Sequence, residues 1–144
     1  MMKRILTVVC LLLSAVTLKA QVTEKNARNQ HEQALEQMAF FTLTKEARFY
    51  HQGMTLLKST KSMYDLLSKH SISNKLDAAR FETKSKLLEG ALNIYNDSFF
   101  DRIVNDRSRT NSKVRFKEKT YAVSSERQQV LTDLLKAMKS AQLE

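Results

Sequence analysis

The residues that could carry out chemistry are few and widely spaced. The histidines are His31, His51 and His70. No His-x-x-x-His or histidine–carboxylate pair occurs at the spacing of metal ligands. Asp97 and Asp101 lie on one helical face and could act as paired carboxylates, but two solvated acids beside Arg102 are the simpler interpretation. These patterns predict neither a metal site nor a catalytic acid–base pair.

Other catalytic and cofactor patterns are also missing from the sequence. The chain has only two glycines, Gly53 and Gly90, so it contains no glycine-rich phosphate loop. No Gly-x-Ser-x-Gly nucleophile motif occurs. Cys10 is the only cysteine and lies in an apolar N-terminal run. We therefore expect no enzyme activity, no catalytic residue, no cofactor and no metal.

One segment stands out by its charge. Residues 102–119 contain seven basic residues and only two acidic ones, Asp106 and Glu118. The seven bases, which we take as candidate partner-binding residues, are Arg102, Arg107, Arg109, Lys113, Arg115, Lys117 and Lys119. Such a cluster could dock an acidic protein subunit or an anionic membrane surface. A plainly solvated face is the alternative, and nucleic acid is disfavoured because no nucleic-acid-binding motif accompanies the charge.

The N-terminus predicts export. Lys3 and Arg4 precede an uncharged, mostly apolar run of 12 residues at 5–16, and Ala20 provides a small residue before Gln21. This is the pattern of a secretory signal peptide cleaved after Ala20, which would make the chain periplasmic. An uncleaved membrane anchor is the alternative. Three bases lie in residues 1–20, so cleavage would lower the formal charge from +9 to +6 and leave no thiol.

The remaining sequence, residues 21–144, predicts a single helical domain. Apolar residues recur every three or four positions from His31 to Leu67, which predicts one very long N-terminal helix. Asn74 is a candidate N-cap for a middle helix at 75–104, and Asp77 would lie in its first turn. Its stripe is built from Phe81, Leu88, Leu92, Tyr95, Phe99 and Ile103, widened by Leu87, Ala91 and Ile94. We expect this middle helix to organise the core, with an apolar segment on either side of it.

The C-terminal third contains one ambiguous stretch. At 113–123, Val114 and Phe116 alternate with bases as in a strand, but no partner strand is evident and a helix remains possible, with a weak preference for the helix. Ser125 and Gln128 then match a capping box at the start of a last helix. The fold class is therefore all-α, an elongated helical hairpin or a three-helix bundle.

Three short patches resemble one protein family. Glu126-Arg127, Val130-Leu131, Leu134-Leu135-Lys136 and Met138-Lys139 are similar to the "E-R-x-x-V-V … V-Y-K-E-M-K" helix of TraI-type proteins of Bacteroides conjugative transposons, which are not relaxases. The stretches 50–53 and 94–99 resemble that family's "Y-E-Q-G" and "I-Y-x-x-S-F" in the same order. The chain looks shorter than the family, as a truncated relative or a distant paralogue would.

The resemblance implies a non-enzymatic, periplasmic structural or interaction component of a conjugative transfer apparatus of the type IV secretion kind. Its partners would be envelope protein subunits, with self-association as a further option. An exported helical binding or chaperone-like module, which docks an anionic partner or membrane surface through the basic segment, is the alternative.

Overall fold

The computed structural model describes residues 22–71 and 74–143, and this part of the chain is mostly helical with one small sheet. Its elements in chain order are α1 (Glu24–Thr44), α2 (Ala47–His70), α3 (Lys75–Ile94), α4 (Asp97–Val104), β1 (Ser112–Phe116), β2 (Lys119–Val123) and α5 (Ser125–Leu143). The segment 1–20, predicted to be a signal peptide, lies outside the described residues. None of the described helices is both long and apolar enough to cross a membrane.

The prediction of one very long N-terminal helix is not confirmed, because the stretch forms the two helices α1 and α2. Lys45 has a left-handed φ of 63°, and its N–H donates to the Phe41 carbonyl at 2.7 Å. This geometry ends a helix by satisfying one of its last carbonyls. Neither Gly nor Pro marks the turn, so the apolar stripe runs through it without interruption.

Helices α1 and α2 approach each other closely at Gly53. A Cβ at Gly53 would lie 3.0 Å from Met38 Cε and 3.3 Å from the Ala34 carbonyl oxygen. A side chain at this position would therefore force Met38 or the α1 backbone to shift. Large side chains fill the interface on either side of the crossing, including Leu35, Phe41, Leu57 and Tyr64, all of which are buried.

Helix α1, and not the middle helix, lies at the centre of the described fold. It packs against α2, α5 and strand β2, whereas the main helical neighbour of α3 is α2. The predicted middle helix is also interrupted at Tyr95–Asn96, where Asn96 caps the short helix α4. Of its predicted stripe, Leu87 and Ile94 are 62% and 66% exposed.

Other features of the segment from α3 to α4 agree with the sequence analysis. The side chain of Asn74 accepts hydrogen bonds from the N–H groups of Leu76 and Asp77 and so caps the helix. Leu88 and Phe99 are buried, as expected, while Leu92 and Tyr95 are only half-buried. The buried face was therefore correctly identified at Leu88 and Phe99, and the second flank was not.

The segment 113–123 is a β-hairpin, so the preference for a helix there was wrong. Strands β1 and β2 pair antiparallel with Phe116 opposite Lys119. Lys117 and Glu118 form the two-residue turn with φ values of 49° and 67°. Both positions of such a turn require positive φ, which Asn and Gly normally supply. The alternation of apolar and basic residues was therefore a true strand signal without the usual turn signal.

Helix α5 runs back along α1 and closes the described fold. Its N-cap is one residue earlier than predicted. The N–H of Arg127 donates a hydrogen bond to Ser124 Oγ at 3.2 Å, so Ser124 and not Ser125 caps the helix. Leu131 and Leu134 are buried in the core. Near the other end, Gln142 Nε2 donates to Glu32 Oε1 on α1 at 2.7 Å.

The two glycines should respond oppositely to substitution. Gly90 is in the middle of α3 and has no atom near its potential Cβ, so Gly90→Ala should raise the free energy of unfolding by about 0.5–1 kcal/mol through helix propensity. Gly53→Val should lower it, because the added atoms meet Met38 and the α1 backbone. Urea unfolding followed by circular dichroism measures both changes. Equal effects of the two substitutions would contradict the close crossing.

The hairpin turn gives a second stability prediction. Glu118→Gly should raise the free energy of unfolding by about 1 kcal/mol, since Gly adopts positive φ without the steric penalty of a side chain. Glu118→Ala keeps that penalty and serves as the matched control, with an expected change near zero. If Ala stabilises the protein as much as Gly does, the gain comes from removing the Glu118 charge and not from the backbone.

Candidate docking surface

The structure brings all seven predicted basic residues to the surface, on α4, the following loop and the β-hairpin. Arg102 lies on α4, and Arg107 and Arg109 lie in the loop at 105–111. Lys113 and Arg115 lie on β1, Lys117 in the turn and Lys119 at the start of β2. All seven are exposed. Exposure allows them to meet a partner, but it does not by itself identify one.

Three of the seven have a charge contact with another side chain. Arg102 Nε lies 3.6 Å from Glu126 Oε1, and Lys117 Nζ lies 3.7 Å from Glu36 Oε2. The ammonium of Lys119 lies 5.4 Å from the ring centre of Tyr121. These contacts are at the surface, where single ion pairs contribute little to stability.

The other four bases are Arg107, Arg109, Lys113 and Arg115. Arg107 Nη1 donates to the Val104 carbonyl at 3.4 Å. Within the described residues, no ion pair holds any of these four. Like Lys119, they carry a charge that no carboxylate of the described residues offsets through an ion pair.

The hairpin separates charge from apolar surface. Lys113 and Arg115 are exposed on one face of β1, opposite Ala122 and Thr120 of β2, which are exposed too. Phe116 points to the other face and packs edge-on against Phe40 of α1, with ring centres 5.2 Å apart. The inner face therefore anchors the sheet on α1, and the outer face presents cations to solvent.

A buried network around Arg127 fixes the base of this hairpin. Arg127 Nη1 donates to the carbonyls of Thr42 and Leu43 at 2.9 and 3.3 Å, which caps the C-terminus of α1. Its Nε lies 3.3 Å from Asp106 Oδ2, and the two side chains are only 5% and 6% exposed. This Nε is not aligned for a hydrogen bond. Arg127 thus joins the end of α1 to the loop before β1.

Asp106 extends the network to the start of α5. Its Oδ2 accepts from Ser124 Oγ at 2.6 Å, and its Oδ1 accepts from the Ser108 N–H at 3.0 Å. Lys45 Nζ also donates to the Asp106 backbone carbonyl. The bonds from Ser124 and Ser108, together with the Arg127 charge, hold the pKa of Asp106 well below its ordinary value of 3.8. The carboxylate is therefore ionised at neutral pH.

Sequence reasoning identified the exposed cations but missed the network beneath them. Asp106 was counted only as one of two acids in the basic segment. Arg127 was noticed only for its likeness to another helix. One signal was available, because an Arg in the first turn of a helix opposes the helix dipole and so suggests that the charge is held elsewhere. Its backbone partners Thr42 and Leu43 lie 85 and 84 residues away in the chain, which no local pattern reveals.

The chemistry available at this surface is anion binding. Guanidinium and ammonium groups offer several N–H donors to carboxylates or phosphates. A cavity of about 330 Å³ adjoins the cluster and is lined by residues that include Tyr95, Phe99, Arg102 and Asp133. It contains charges of both signs, so it adds no preference for an anion. Among the described side chains, no group of three or more His, Cys, Asp or Glu could hold a metal ion.

The Asp106 network gives a pH-dependent prediction. Asp106→Asn should lower the free energy of unfolding at pH 7 by about 2–4 kcal/mol, because it leaves the Arg127 charge buried without its counter-charge. The pKa of Asp106 is lower in the folded than in the unfolded chain, so its contribution is complete above about pH 5 and is lost as the pH falls. The difference between wild type and variant should therefore shrink by about 1 kcal/mol between about pH 5 and about pH 3.

Urea titrations at several pH values measure this difference. The control is Asp101→Asn, which removes an exposed carboxylate from α4 and should not change the acid dependence. A difference between wild type and Asp106→Asn that stays constant with pH would mean that Asp106 does not carry the acid sensitivity.

Comparisons of the chain with protein-family models, with curated proteins and with solved structures find no match. The likeness to TraI-type proteins remains a prediction from the sequence.

Proposed function

We propose that this chain is a non-enzymatic interaction protein that docks an acidic envelope subunit through its basic hairpin and the preceding loop. Following the sequence likeness, we place it as a periplasmic component of a conjugative transfer apparatus of the type IV secretion kind. The observation that carries the docking proposal is the set Arg107, Arg109, Lys113 and Arg115. These cations are exposed, close together in the chain and without an ion-pair partner among the described residues.

The anchoring of the loop and the hairpin favours docking over a plainly solvated face. The loop and the hairpin are held at their base by Asp106, Ser124 and Arg127. A fixed arrangement of cations loses less conformational freedom on binding than the same charges on a mobile segment. Clustered charge of one sign also raises the rate of encounter with an anionic surface.

A second candidate function is the exported, chaperone-like binding module. It is favoured by the exposed large apolar residues of α3, where Leu76, Leu87 and Ile94 are 84%, 62% and 66% exposed. Apolar surface of this kind is a common feature of sites that bind other proteins. Flanking genes separate the two candidates, since transfer genes on both sides favour the first and an isolated gene favours the second.

Charge reversal tests the docking function. Changing Arg107, Arg109, Lys113 and Arg115 to Glu should leave helix content nearly unchanged, because exposed substitutions usually alter stability little. The variant should lose its partners in co-purification from envelope extracts. Recovery of those partners by the wild type should fall as salt rises past physiological strength, because salt screens exposed charges.

A matched variant controls for net charge. Changing Lys25, Lys58, Lys136 and Lys139 to Glu alters the formal charge by the same amount at exposed positions outside the cluster. This control should keep its partners. If both variants keep them at wild-type yield, the cluster is only a solvated face, and if both lose them, total charge and not the hairpin governs binding.

A further inference from the structure

We infer that β1 is a binding edge, where an extended, acidic segment of a partner protein pairs as a third strand. This inference deepens the proposed docking function and rests on it. The described sheet has two strands, β1 and β2, so the outer side of β1 has no neighbouring strand there. Strand addition to such an edge is a common mode of peptide recognition, in which main-chain hydrogen bonds supply affinity.

The register determines which backbone groups point outward from β1. Phe116 and Lys119 flank the two-residue turn and therefore form a hydrogen-bonded pair. Pairs alternate along an antiparallel ladder, so Arg115 opposite Thr120 and Lys113 opposite Ala122 are non-hydrogen-bonded pairs. The N–H and C=O groups of Lys113 and Arg115 thus face away from β2, toward the open edge.

The same two residues bring the charge. Lys113 and Arg115 have exposed side chains on the outer face of the sheet, directly above the backbone groups that an added strand would bond. The corresponding outward groups of β2 belong to Thr120 and Ala122, which are uncharged. This asymmetry selects β1 over β2 as the edge for an anionic strand.

The arrangement also defines the chemistry of the added segment. Carboxylates at alternate positions would stand beside Lys113 and Arg115, because neighbouring strands place facing residues on the same side of a sheet. The residues between them would lie toward the inner face, next to the half-buried Val114. The segment that fits is therefore extended, with acidic and β-branched apolar residues in alternation.

Two other occupants fit less well. A second copy pairing through β1 would bring Lys113 and Arg115 against the same bases, and like charges on facing strands are destabilising. An anionic membrane would find no large apolar side chain on the outer face, where only Ala122 and Thr120 accompany the cations. Surface-bound segments normally combine basic residues with aromatic or aliphatic anchors.

The test uses the full chain and a synthetic peptide of alternating Glu and Val. Its matched control is the same peptide with every internal amide N-methylated. Methylation keeps the charges and removes the N–H donors along both edges of the peptide, so that it cannot pair as a strand. At low ionic strength, fluorescence anisotropy should show about tenfold weaker binding or worse for the methylated peptide, given about 1 kcal/mol for each lost hydrogen bond. Bound peptide should slow amide hydrogen exchange at Lys113 and Arg115 and not at Thr120 and Ala122.

Protein variants test the contribution of charge. Lys113→Ala with Arg115→Ala should weaken binding of the unmodified peptide about fivefold, as expected for two exposed ion pairs. Lys136→Ala with Lys139→Ala removes two exposed cations from α5 and should leave binding unchanged.

Three results would overturn the inference. Strand addition at β1 would be excluded if the methylated peptide bound as tightly as the unmodified one. It would also be excluded if the bound peptide slowed amide exchange at Thr120 and Ala122 instead of at Lys113 and Arg115. Binding of the protein to phosphatidylserine vesicles but not to the peptide would exclude it as well. The proposed docking function is judged separately by recovery of partners from envelope extracts. Partners recovered through the basic cluster, together with any of these three results, would leave the docking function intact and remove only its strand-pairing mode.

Discussion

The ion pair between Arg127 and Asp106 is the interaction on which the arrangement of the described chain depends. Arg127 caps the end of α1 through two backbone carbonyls, and Asp106 binds Ser124, which caps α5. Both charges are removed from water, so each requires the other and the surrounding hydrogen bonds. Because the hairpin begins and ends within a few residues of this network, its position on α1 follows from these contacts.

The sequence predicted those parts of the fold that depend on local spacing. The helical character, the Asn74 cap and the buried face of α3 at Leu88 all follow from periodicity and capping chemistry. The break at Lys45 and the turn at Lys117–Glu118 did not, because non-glycine residues occupy the left-handed conformation at both places. Tertiary packing holds these residues in a conformation that their local sequence does not favour, so sequence patterns do not predict it.

The candidate site was also predictable only in part. A count of charges was enough to select the cations from Arg102 to Lys119, and their exposure in the structure agrees with that selection. What gives them a geometry is the pairing of β1 with β2 and the support from Arg127, which joins parts of the chain far apart in sequence. Spacing along the chain indicated that a basic surface exists, while only the three-dimensional contacts define which cations share a face.

The cap that Arg127 places on α1 also has a mechanical consequence. A tensile force applied to the hairpin by a bound partner would reach the rest of the protein through Asp106 and Ser124, where the network meets the ends of α1 and α5. Force would then pass along two helix axes that lie side by side in the core, instead of through the loop at 105–111 alone. The hairpin is thus attached to both helices, and a subunit bound to it would transmit force to α1 and α5 together.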